Sequence, residues 1–178
     1  MKIKFLIFLI ALFVGAVGTA QAATLACGRG VLFDREYVIR DHPDHTAVGG
    51  VNRHERHWSI FRFTNPNPSS DATISQVIFI NPDGTTELIL GAGGDPFPGD
   101  FSPTIGPKSQ SDLDMRDVFP GTPPLFPGED QILTRLIVTS DRKVVGKQIR
   151  VTFGFEPPVA TYGLQEERGR VILDCVDK

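Results

Sequence analysis

"KQIRVTFGFEPP", Lys147 to Pro158, is the stretch whose reading decides the fold. Ile149, Val151, Phe153 and Phe155 alternate with Gln148, Arg150, Thr152 and Gly154. A period of two places the apolar set on one face of a strand and the polar set on the other. Pro157 and Pro158 end the strand, because proline cannot donate to a ladder. The same period recurs in "RGRVILDC", Arg168 to Cys175. Val171, Leu173 and Cys175 share one face there, so Cys175 is expected to point inward with Val171.

Working outward, "ATISQVIFINPDGTTELIL" reads as a hairpin. Ile74, Ile78 and Ile80 fall on one face and Val77 and Phe79 on the other, the pattern of an interior strand. Pro82 presets φ for the turn and Gly84 accepts positive φ. "GVLFDREYVIR", "HWSIFRFTN", "SDLDMRDV" and "ILTRLIVTS" supply further strand-like runs. Two connections, 91–109 and 119–130, are too rich in Gly and Pro for helix or central strand. No segment after residue 22 keeps a helical period. About eight short strands between turn signals predict an all-β, antiparallel β-sandwich with an immunoglobulin-like Greek key. A small β-barrel is the second choice.

The first 22 residues have the form of a secretory signal peptide. Lys2 and Lys4 make a basic start, Phe5 to Val14 an apolar core, and Ala20-Gln21-Ala22 a cleavage motif. The apolar core is shorter than the roughly 20 residues of a membrane-spanning helix. Residues 23–178 are then one exported domain, periplasmic or secreted, with no membrane span. Cys27 lies far beyond the apolar core and follows Thr24-Leu25-Ala26, which argues against lipidation. Without Lys2 and Lys4, 16 basic residues face 21 acidic ones, a net charge of −5. That balance argues against a nucleic-acid partner. In an oxidising compartment Cys27 and Cys175 are expected to bridge, which sets the first and last segments side by side.

All four histidines, His42, His45, His54 and His57, lie in "RDHPDHTAVGGVNRHERH". Imidazole is a common ligand for Zn or Cu, and two His-x-x-His pairs offer four of them. Pro43 and Gly49-Gly50 argue against the helix that would align each pair, so the segment is expected to be a connection reaching to His57. Only a loop folded back on itself would converge the rings. The plainer expectation is a solvated connection and no cofactor. Asp112, Asp114 and Asp117 suggest a shared Ca²⁺, against the plainer expectation of an exposed acidic strand face. No Gly-x-Ser-x-Gly elbow or P-loop occurs, and a bridged cysteine is not a nucleophile, so no catalytic residue is assigned. The long connections carry Phe97, Phe101, Phe119, Leu125 and Phe126, expected to be tucked over the core or displayed to a partner. Phe119, Leu125 and Phe126 are the candidate partner-binding loop.

The order of short motifs resembles a family of small exported bacterial β-domains of unknown function. A Tyr-containing first strand leads to "SIFRFTNPNP", then "NPDGT", a "GPKS" segment before an acidic strand, and a closing "ERGRVI". The likeness spans about two thirds of residues 23–178, and loops 91–94 and 120–127 depart from it. It implies one exported β-domain and no particular chemistry. The expected function is a non-catalytic binding or structural module of the periplasm or envelope, with a protein or glycan partner. The alternative is a periplasmic metal-binding protein using the His42–His57 segment. The residues predict no oligomeric state.

Overall fold

A computed structural model describes residues 22–39, 51–120, 132–155 and 166–178. Within these, the side chains of 33–39, 51–55, 132–133, 153–155 and 166–169 are outside the description. Residues 1–21 are likewise outside it.

The described residues are mostly strand: β1 (Ala23–Ile39), β2 (Val51–Thr64), β3 (Ala72–Ile80), β4 (Thr86–Gly91), β5 (Thr104–Ile105), β6 (Gln110–Asp114), β7 (Ile132–Ser140), β8 (Val145–Phe155), β9 (Glu166–Asp174) and β10 (Val176–Asp177). One helical turn, α1 (Met115–Val118), follows β6. All pairings between these strands are antiparallel. Seven strands run in the order β4-β3-β7-β1-β2-β8-β9, an open sheet ending at β4 and β9. β10 pairs with β1, β5 with β3, and β6 with β2. The all-β expectation holds, with ten strands where about eight are predicted.

Two strands change partner along their length. β1 pairs with β7 from Ala23 to Leu32, then with β2 from Leu32 to Ile39. Its register shifts between Cys27 and Arg29. β2 pairs with β1 up to Trp58 and with β6 from Ile60 onward. Ser59 sits in the gap between the two ladders. Its Oγ accepts the Val31 N–H at 2.9 Å and a proton of Gln148 Nε2 at 3.1 Å. Gln148 Nε2 also donates to the Arg29 carbonyl, which takes Arg150 Nη2 at 2.8 Å as well. These side chains satisfy the backbone of β1 where it leaves one partner for the next.

This cluster corrects the polar-face assignment of Gln148, which is fully buried. The buried positions are Val144, just before β8, and Gly146 and Gln148 on it, then Ile149 and Val151. Burial thus changes face between Gln148 and Ile149, and β2 does the same between Trp58 and Ser59. A bulge has a similar effect on β3. Its register against β7 shifts between Ile74 and Gln76. Ile74 therefore joins Val77 and Phe79 in the core, while Ile78 and Ile80 are only half-buried.

The core is built on Phe61, Phe63, Phe79, Leu136 and Val138, with Leu113 and Met115 beneath the β6–α1 junction. Gly30 lets β1 pass over it. A Cβ there would meet Met115 Sδ at 2.6 Å and the Phe61 ring at 2.8 Å. The "NPDG" turn forms as expected, with Gly84 at φ +91°. Asn65, the last residue of the "FTN" run, is buried and ties two connections together. Its Nδ2 donates to the carbonyls of Ser70 at 2.8 Å and Ile105 at 2.9 Å, and its Oδ1 accepts the Asn67 N–H.

Cys27 and Cys175 are bridged, with Cα atoms 4.3 Å apart at a sequence separation of 148. Cys175 donates its N–H to Gly146 O at 2.9 Å. Beyond it, Val176 and Asp177 pair with Ala26 and Leu25, so the C-terminus lies along the first strand. The bridge fits a protein of an oxidising, non-cytoplasmic compartment. Among the described residues, no helix is long and apolar enough to cross a membrane.

Replacing Ser59 by Ala strands the Val31 N–H and is expected to cost about 1–3 kcal/mol. Urea unfolding should show a lower midpoint at an unchanged slope. Cys27→Ser combined with Cys175→Ser should lose about 2–5 kcal/mol in the same assay.

Candidate functional site

The histidine segment does not fold as one connection. β2 begins at Val51, so His54 and His57 stand within a strand rather than in the loop that Pro43 and Gly49-Gly50 suggest. β1 pairs with this strand from Val51 and β8 pairs with it from His54, which is why the strand starts early. Strand positions three apart stand on opposite faces, so this strand alone does not converge the two rings. His57 is half-buried, with Nδ1 3.1 Å from Thr152 Oγ1 on the paired strand. The side chain of His54, and all of His42 and His45, lie outside the described residues. Among those described, no three His, Cys, Asp or Glu side chains are grouped to hold a metal ion.

The acidic strand face is present, but its carboxylates are engaged. Asp112 accepts two hydrogen bonds from Arg62, at 2.8 and 2.7 Å, across the β2–β6 pair. Asp114 caps α1 by accepting the Arg116 N–H at 2.8 Å. It also accepts Arg116 Nη2 at 2.6 Å. The clamped guanidinium lies 4.4 Å above the Trp58 ring, a cation–π stack that covers this buried indole. Hydrogen bonding to Asp112 and Asp114 raises the pKa of Arg62 and Arg116 above the usual value. Asp117 lies in the helical turn rather than on the strand. Partial desolvation, reinforced by Asp114 and Asp100, holds its carboxyl above the ordinary range. Asp112 and Asp114 thus serve as anchors for arginines, and Asp117 is separated from their strand face.

Phe97, Phe101 and Phe119 of the Gly/Pro-rich connections are folded over the core. Phe101 is buried, edge-on to Phe63 at 6.2 Å and tilted against Phe97 at 5.2 Å. Phe119 packs edge-on to Phe79 at 5.4 Å. Of the candidate partner-binding loop, Phe119 is therefore core-packed, and Leu125 and Phe126 lie outside the described residues.

Exposed apolar surface gathers elsewhere, on β9 and its neighbours. Val171 and Ile172 are 54% and 56% exposed, and Leu173, Val176 and Val145 are exposed as well. These are all the large exposed hydrophobics among the described residues. The inward placement of Val171 and Leu173 is thereby corrected. Ile149 on β8 is buried at 5%, while its ladder partner Ile172 is not, so the core ends at β8. Cys175 is half-buried because the bridge, rather than a face shared with Val171, draws it in. One signal in the residues marks this margin: three consecutive apolar side chains, Val171-Ile172-Leu173, break the alternation of a half-buried strand.

Comparison with protein-family models, curated proteins and solved structures finds no match for the chain.

The raised carboxyl of Asp117 fixes the sign of one pH effect. A group whose folded pKa lies above its unfolded value opposes folding when ionised. Asp117→Asn should therefore raise the melting temperature at pH 7. The difference should fade as pH falls through the raised value toward the ordinary carboxyl value of 3.8, below which both states are protonated. Thermal scans across that range read the effect directly.

Proposed function

We propose that the chain is an exported, disulfide-closed β-sandwich that acts by binding, without catalysis, in the periplasm or outside the cell. The observation that carries the reading is the apolar margin at β8, β9 and β10. Large apolar side chains elsewhere in the described residues are at least half-buried. The polar clusters at Ser59, Asn65 and Asp114 are engaged in holding backbone or covering Trp58. What is left facing water in quantity is hydrophobic surface on an edge strand, the kind of surface that partners use.

The change of buried face on β2 and β8, with the change of partner on β1, supports two packed layers in an immunoglobulin-like arrangement. The open ends of the sheet at β4 and β9 favour a sandwich over a closed barrel. The bridge and the leader-like first 22 residues support export. The short-motif likeness to small exported β-domains agrees with this reading. The fitting partner is a protein or glycan surface of the envelope.

A photo-crosslinking residue placed at Val171 in living cells should form adducts, whereas the same residue at Asp83, on the exposed β3–β4 turn, should not. Absence of adducts from Val171 would remove the binding reading. The protein should be recovered outside the cytoplasm with Ala23 as its first residue, and an intact leader on cytoplasmic protein would remove export.

A further inference from the structure

We propose that β9 is a self-association edge: it pairs antiparallel with β9 of a second copy, with Ile172 opposite Ile172. The inference rests on the binding reading above and names the partner. β9 is the last strand of the sheet path, and among the described residues its only ladder neighbour is β8. From Arg170 to Asp174 its ladder with β8 is regular, and this span holds no Pro, no Lys and no bulge. Those are the devices that commonly protect a sheet edge from another strand.

The apolar residues stand on both faces. Val171 and Leu173 pair with Arg150 and Gln148, and Ile172 with Ile149, which places Ile172 on the opposite face from the other two. A helix or loop laid on the sheet covers one face. A strand added at the edge continues both, and its main chain supplies the hydrogen bonds.

The segment Arg170-Val171-Ile172-Leu173-Asp174 is complementary to itself when reversed. With Ile172 on the two-fold axis, Val171 faces Leu173 of the second copy and Arg170 faces its Asp174, each twice by symmetry. Moving the axis to Leu173 sets Asp174 against Ile172 and Arg170 against Val176 instead, so the charges select one register. Exposed Val176 and Val145 extend the apolar margin beside the shared ladder.

Sedimentation equilibrium of the disulfide-bonded protein isolated from its own cells, from about 1 to about 200 µM, should show reversible dimers. Ile172→Lys should weaken them about tenfold or more, and so should Asp174→Arg, which opposes two arginines. Arg170→Asp combined with Asp174→Arg should restore the dimer. Crosslinks from Val171 should yield a product of twice the chain mass. A wild-type monomer across the range overturns the proposal. So does a dimer indifferent to Asp174→Arg in protein with native near-ultraviolet circular dichroism. If Ile172→Lys fails to fold, the charge reversal and its restoration decide alone, since Asp174 is an exposed position. A Val171 crosslink to a different protein overturns self-association and leaves the binding reading standing.

Discussion

The fold depends on a small buried polar cluster. β1 cannot keep one neighbour for 17 residues, because it leaves β7 and joins β2. At the changeover its backbone would lose ladder partners inside the protein, where an unpaired group is costly. Ser59 and Gln148 take over, one accepting from Val31 and the other donating to Arg29. Both sit where β2 and β8 change buried face, so one site serves the turnover of three strands.

The two chain ends complete the arrangement. β10 lies on β1 beside the segment that pairs with β7, and the Cys27–Cys175 bridge fastens it close to the crossing. The bridge therefore holds the first strand to the last at the point where the ladder is least continuous. On the far side of β8 the core stops, and β9 carries apolar residues that no described layer covers. Closure and exposure are adjacent: Cys175 follows Asp174 directly.

Much of this architecture was legible in the sequence, and the parts that were not share a cause. Alternation identifies β3, β8 and β9 as strands, β-rich composition identifies β7, and the compartment logic of two cysteines identifies the bridge. Alternation also assumes one buried face per strand. That assumption fails at Gln148, at Ser59 and at the β3 bulge near Ser75, where tertiary pairing sets the face. It fails again at Val171 and Leu173, whose period is that of a core strand on a margin the core does not reach. The histidine segment misled through its Gly and Pro residues, because cross-strand pairing with β1 extends β2 to Val51 regardless of local propensity. Asp112 and Asp114 read as acidic surface; the fold brings Arg62 to Asp112 from 50 residues away, and the cap of α1 turns the neighbouring Arg116 onto Asp114.

The placement of β1 has a consequence for how the molecule is made. Of its three neighbours, β2 follows soon after, but β7 begins at Ile132 and β10 at Val176. The first strand to emerge is thus completed by the last two residues to pair. Contacts so distant along the chain make folding slow, since a large loop must close before they contribute. An emerging chain holds β1 partly unpartnered until nearly all of it is available, a state prone to wrong pairing. Order of synthesis and order of assembly run against each other here, and the native bridge can form only once Cys175, at a sequence separation of 148 from Cys27, has been made.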